Sequence, residues 1–194
     1  AYSVNTVYME LQQKLGASTV ANLAVDAGMS SSRITGKNPF TVLGNDGVHL
    51  TDIARAYSTI ANQGQRSTLH IVDTVKDGTG KTTLYRGPTS TTRVFDSPST
   101  ALVTKAMRSV VTYGLGTEVQ NVGKTIAGKS GTANDGTAGS FAGFTPDMAT
   151  VCAMWNPDSS GNPQVVPAFG RYTAASEYPI HLFTEYMKQA LEDT

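Results

Sequence analysis

The chain has 194 residues, of which 39% are apolar and 15% charged, with 15 Lys+Arg against 15 Asp+Glu. That length is one domain or part of one, and the apolar content excludes a wholly disordered chain. A net charge of zero argues against a nucleic-acid binder, which needs a basic surface, and against electrostatic docking on an anionic membrane.

Val7, Leu11 and Leu15 recur at helical spacing and Gly16 supplies a stop, so the chain is expected to begin with a helix. Ser18 reads as the N-cap of a second helix running through Ala27 to Gly28. Residues 29–49, punctuated by Pro39, Gly44 and Gly47, read as irregular. Thr51-Asp52 opens a third helix with an apolar stripe of Ile53, Ala56, Tyr57 and Ile60, closed by Gly64. Residues 69–76 and 81–86 flank Asp77-Gly78-Thr79-Gly80 and predict a hairpin. Asp96-Ser97-Pro98 is a helix start, and Leu102, Val103, Ala106 and Val110 give that helix an apolar side.

Residues 124–133 have weak strand propensity in themselves. Residues 140–145 and 149–155, joined by a Thr145-Pro146-Asp147 turn, predict adjacent strands. Residues 155–167 read as a surface loop, and residues 177–191 as a closing helix with Pro179 in its first turn. Helices, then antiparallel strands, then one helix make an α+β layout rather than alternating βαβ units.

Two short segments stand out chemically. Ser3-Val4-Asn5 precedes the first helix; its plain reading is N-capping, and its functional reading is a hydroxyl and a carboxamide held above a cleft. Lys129-Ser130-Gly131-Thr132 sits in the weak strand. A cation flanked by two hydroxyls suits a carboxylate, Gly permits close approach, and the N–H groups of an exposed strand edge suit an oxyanion. His49, His70 and His181 lack ligand spacing, so no metal or other cofactor is expected. The lone Cys152 excludes an internal disulfide and reads as a small core residue. No run approaches the roughly 20 apolar residues that span a bilayer.

Ser-x-Asn before a helix and Lys-Ser-Gly-Thr on a late strand together resemble two of the three signatures of penicillin-recognising serine enzymes. The chain as a whole resembles the C-terminal part of a penicillin-binding protein transpeptidase domain of the class A, bifunctional type. The resemblance extends to Ala54-Arg55-Ala56-Tyr57, Ala61-Asn62-Gln63-Gly64, Gly143-Phe144-Thr145-Pro146-Asp147 and the tail Pro179-Ile180, Phe183 and Met187. It departs from the family in Ser130, where Thr is usual, and in Ser140 and His181, where Trp is common.

The resemblance implies a penicillin-binding protein/serine β-lactamase-like fold, an antiparallel sheet flanked by helices, with the N-terminal half absent and residues 1–194 as the C-terminal part of one domain. It implies D,D-transpeptidase chemistry on peptidoglycan stem peptides by serine acyl transfer, with β-lactam antibiotics as mimics of the substrate. Ser3 would relay a proton, Asn5 would hold the donor amide, and Lys129 would set the electrostatics. Ser130, Gly131 and Thr132 would take the substrate carboxylate, with the Thr132 N–H in the oxyanion hole. The parent would be anchored with this domain on the extracytoplasmic face of the bacterial cell membrane. The nucleophile motif Ser-x-x-Lys is missing: no Ser stands three residues before any of the eight Lys. Since the chain opens on Ala1-Tyr2-Ser3, the expectation is that the motif lies upstream, on a further segment or a second chain. A D,D-carboxypeptidase or serine β-lactamase of the same superfamily, and a non-catalytic β-lactam- or wall-binding module, are the alternative readings.

Overall fold

In the computed structural model, which describes residues 1–192, Gly16 ends one helix and begins the next. Helix α1 (Asn5–Leu15) stops where Gly16 turns to φ +87° and its N–H closes on the Gln12 carbonyl. The same Gly16 is the N-cap of α2 (Ala17–Ala27), so Ser18 is inside the helix and not its cap. Helix α3 (Leu50–Ala61) follows an irregular stretch that holds one short 3-10 turn, Thr41–Leu43.

Small strands come next: β1 (Gln65–Ser67), β2 (Thr74–Lys76), β3 (Thr83–Arg86) and β4 (Thr91–Arg93). The expected hairpin is the antiparallel β2–β3 pair, shorter than its sequence pattern. The β1–β4 pair encloses it in sequence and has no apolar alternation to announce it. Helix α4 (Ser97–Thr112) starts as expected, with the Asp96 side chain accepting from the Ser99 N–H at 2.8 Å.

The main sheet is β5 (Ala127–Thr132), β6 (Ala138–Phe144), β7 (Ala149–Pro157) and β8 (Pro163–Gln164), in that spatial order, with each neighbouring pair antiparallel. β8 lies in the stretch read from sequence as a loop, and it pairs only with Asn156 and Pro157 at the far end of β7. Helix α5 (Glu177–Ala190) closes the chain.

Register decides which helix covers which face. Ser130, Phe141 and Cys152 are cross-strand partners and share one face. That face packs on α5, with Phe141 edge-on to Phe183 at 4.8 Å between ring centres. Val110, Val119, Ile126, Ile180 and Met187 complete this core, each nearly or fully buried. Burying a side chain of that size contributes about 1.5–3 kcal/mol. Lys129 partners Ala142, two residues from Phe144, so both point to the opposite face. There Phe144 meets Tyr57 of α3 at 6.3 Å.

The first helix buries an unexpected side. Val7, Leu11 and Leu15 are 60%, 48% and 47% exposed, whereas Gln12 is buried. The Gln12 carboxamide donates to the Pro39 carbonyl and accepts from the Val42 N–H, which fastens α1 to the irregular stretch. On α4, Leu102 and Val103 are likewise exposed, and burial falls on Thr100, Val110 and Val111. No described helix is long and apolar enough to cross a membrane.

Candidate active site

Ser3 and Lys129 are 126 positions apart in sequence and meet at one end of the sheet. The Lys129 Nζ donates to the Ser3 Oγ at 2.9 Å and to the Ser130 carbonyl at 2.6 Å. Ser3 is not a helix cap: Val4 holds that position, and no side chain caps α1. Instead Ser3 has φ +55°, a left-handed conformation that costs a non-glycine residue roughly 1 kcal/mol or more. The segment before it is tied to the end of α4. The Tyr2 hydroxyl donates to the Tyr113 carbonyl, and the Leu115 N–H to the Ala1 carbonyl. Gly114 admits this contact, since a Cβ there would stand 2.6 Å from the Ala1 oxygen.

Strand β5 is an edge strand, bonded only to β6 among the described strands. Just beyond it, the Ala133 N–H donates to the Ala138 carbonyl, so Ala133 points its backbone groups at β6. Alternation along an antiparallel ladder then turns the N–H groups of Ser130 and Thr132 outward, to the open edge. The outward Ser130 carbonyl that receives Lys129 fits the same parity. Gly131 lies opposite Ser140, and a Cβ on it would stand 2.5 Å from the Ser140 hydroxyl.

The six residues singled out from sequence are therefore placed unequally. Ser3 and Lys129 touch. Thr132 is exposed at the end of the strand, and Ser130 is buried on the face turned toward α5. Asn5 opens α1 with its side chain exposed and engaged by no described residue.

Burial pushes the Lys129 ammonium below its usual range. The sign for stability follows directly. A lowered folded-state value means that the charge opposes folding at every pH below it, and the penalty fades as pH rises toward the unfolded value of about 10.4. Lys129→Met is thus expected to raise the melting temperature at pH 7. It should also flatten the gain in stability that the parent shows between its lowered value and pH ~10. Thermal melts across that range check both. A variant that melts lower than the parent at pH 7 would contradict the reading.

A second set of contacts braces the site from behind and has no signature in the sequence. One Glu118 carboxylate oxygen meets His181 Nδ1 at 2.8 Å, the Tyr172 hydroxyl at 3.3 Å and Arg171 Nη2 at 3.4 Å. Tyr172 is stacked on His181 on one side and covered by the Arg171 guanidinium, 5.0 Å from the ring centre. This clip holds residues 169–172 to α5, and the chain then runs to Ala175, whose carbonyl presses on Gly139 opposite Thr132.

The family model for the penicillin-binding protein transpeptidase domain matches residues 1–169. Penicillin-binding protein 1A of Neisseria meningitidis is 29% identical over 145 residues, which are 72% of this chain and 17% of that protein. Penicillin-binding protein 1A of Rickettsia bellii is 28% identical over 174 residues, 78% of this chain and 21% of that one. The solved structure of PonA1 from Mycobacterium tuberculosis in complex with penicillin V aligns with a TM-score of 0.81 at 25% identity. That alignment covers 99% of this chain and 55% of the other. The chain thus spans about a fifth of the curated relatives' length and about half of that structure.

Proposed function

The chain belongs to the penicillin-binding protein transpeptidase family, and from that premise we propose that it is the C-terminal part of one D,D-transpeptidase domain that cross-links peptidoglycan stem peptides. The observation that carries this reading is the Lys129–Ser3 contact at 2.9 Å, set against an open strand edge on which the Ser130 and Thr132 N–H groups point outward.

The chemistry is acyl transfer through a serine ester: a serine oxygen attacks the donor carbonyl, and the departing amine takes up a proton. Because Lys129 donates to the Ser3 oxygen, the Ser3 hydroxyl proton is left free to pass to that amine, and the proton shed by the attacking serine replaces it on Ser3. The ammonium sits partly desolvated, so its field at Ser3 is stronger than it is in water. The Thr132 N–H serves the oxyanion that develops at the attacked carbonyl. The substrate carboxylate is read on the Thr132 hydroxyl and the Lys129 charge, with the Ser130 hydroxyl at the buried end of that strip. Asn5 holds the donor amide. A β-lactam, which presents an amide and a carboxylate together, takes the same groups.

The attacking serine and its lysine are assigned to a further segment or a second chain. The exposed Val7 and Leu11 of α1 and Leu102 and Val103 of α4 support this, as does the edge of β7 over residues 149–155, which no described strand pairs. The parent is placed at the outer face of the bacterial cell membrane.

A fluorescent penicillin and a denaturing gel test the whole reading. The 194-residue chain alone is expected to stay unlabelled, and a complete domain containing it is expected to be labelled. Lys129→Ala in the complete domain should slow labelling by at least about a hundredfold. Label on the isolated chain would mean that it carries its own nucleophile, contrary to the proposal.

A further inference from the structure

A second cleft, with none of its lining residues from β5, opens between α3 and the residues that follow β1. Its volume is about 310 Å³, and its polar wall is formed by Thr51, Arg55, Ser67, Thr68 and His70. Ala54, Leu69 and Ala149 make an apolar floor. A smaller cleft of about 190 Å³ shares Ser58, Ser67 and Ala149 with it and runs toward Pro146 and Asp147.

Arg55 is the member that needs explaining. Its side chain makes no ion pair or hydrogen bond with any described residue, and its Nε is buried without a partner. Asp52, one turn back on α3, also carries a buried unpartnered oxygen and is not bridged to it. The aliphatic stem of Arg55 lies over Gly28, where a Cβ would stand 2.8 Å from Arg55 Cγ, so the head group is held in place. A half-buried guanidinium without a counter-charge is costly, and its fork of N–H donors matches a carboxylate. Beside it the hydroxyls of Thr51, Ser67 and Thr68 hydrogen-bond to no described residue, which leaves three donors unspent. His70 is committed elsewhere: its Nδ1 is 3.1 Å from the Thr68 carbonyl and its Nε2 is 3.8 Å from Asp73.

We propose that this cleft is a separate binding site for the carboxylate end of a short peptide with a methyl-sized terminal side chain. The carboxylate sits on the Arg55 fork and the neighbouring hydroxyls, and the side chain rests on Ala54, Leu69 and Ala149. The preceding residue enters the smaller cleft, where the Asp147 carboxylate disfavours an acidic neighbour. Ligand pockets run from roughly 300 to 1,000 Å³, so this one takes a terminus and not a long segment. That the peptide is a stem peptide rests on the function proposed above; the preference for a carboxylate does not.

The test is a titration of the isotope-labelled 194-residue chain, followed by amide NMR, with N-acetyl-D-alanyl-D-alanine and with its C-terminal carboxamide. Saturable shifts at Ala54, Arg55, Thr68 and Ala149 are expected, half-complete at about 1 mM. The carboxamide should bind at least tenfold more weakly. Arg55→Met, which keeps a stem over Gly28, should weaken the acid tenfold or more, and Arg55→Lys should fall between. Ser67→Ala and Thr68→Val, both at exposed positions, should each weaken it about threefold and serve if Arg55→Met does not fold. Lys129→Ala should leave the cleft shifts unchanged. The proposal is overturned if no saturable shift occurs in the cleft, if acid and amide bind alike, or if Lys129→Ala abolishes the shifts. A failure of penicillin labelling in the complete domain would remove the function reading and leave this one standing.

Discussion

Gly139→Ala is expected to destabilise the protein by more than about 4 kcal/mol, far above the usual cost of a single methyl group. A Cβ at position 139 would stand 1.8 Å from the Ala175 oxygen, 2.2 Å from its carbon and 2.6 Å from the Ser176 nitrogen. All three are backbone atoms just ahead of α5, so no rotamer change relieves the overlap. One of two packed layers must move: β6, which holds β5 in register, or the residues that lead into the core helix. Urea unfolding measures the loss. Gly78→Ala is the control, because position 78 has open space around it and no left-handed φ, and it should change stability by less than about 0.5 kcal/mol. A Gly139→Ala protein with a midpoint near the parent would show that the contact with Ala175 is loose. Gly139 is the partner of Thr132, so any variant that survives should also lose penicillin labelling in the complete domain.

Thr132→Pro is expected to leave the fold nearly intact and to slow acylation of the complete domain by about a hundred- to a thousandfold. Proline within a sheet normally removes a ladder hydrogen bond, but it is tolerated on an edge strand where the N–H faces away from the neighbour. Position 132 meets that condition, since the alternation set by Ala133 and Ala138 turns its N–H outward. The substitution therefore deletes the proposed oxyanion donor, and with it the Thr132 hydroxyl, without touching the bonds to β6. Gly131→Pro is the opposite case: its N–H points into the ladder, so that variant should lose stability as well as activity. Acylation rates and melting temperatures, measured together, separate the two effects. If Thr132→Pro is acylated at the parental rate, Thr132 is not an oxyanion donor. If it unfolds, the parity argument for β5 fails.

The helices were readable because their period and their stops are local properties. What α1 packs against was not readable, because periodicity reports that a stripe exists and says nothing of its neighbour. Val7, Leu11 and Leu15 announced the helix correctly and then lay on its exposed side, while the buried contact went to Gln12, a polar residue that satisfies two backbone groups 27 and 30 positions away. β1 and β4 were missed for a related reason: Gln65-Arg66-Ser67 and Thr91-Thr92-Arg93 carry no apolar alternation, and they pair through backbone and one side-chain hydrogen bond, from the Thr91 hydroxyl to the Gln65 carboxamide oxygen. In the site, two motifs told which residues to watch, and only the fold brought Ser3 to Lys129. The Glu118–His181–Tyr172 clip comes from three separate parts of the chain and leaves no local pattern to find.

The main sheet has two margins of opposite character. Along β5 the outer margin is Gly128, Lys129, Ser130 and Gly131, a charged and weakly strand-forming run that deters unintended pairing between molecules. Along β7 it is Ala149 to Trp155, an uncharged run with Val151, Met154 and Trp155 that has the composition of an aggregation-prone segment. Concentrated or partly unfolded material should therefore begin to assemble into fibrils or amorphous clumps at β7, while the β5 margin stays clean. A lysine placed at Val151 would act as a gatekeeper for solubility, at the cost of the same surface's capacity to accept a complementary strand.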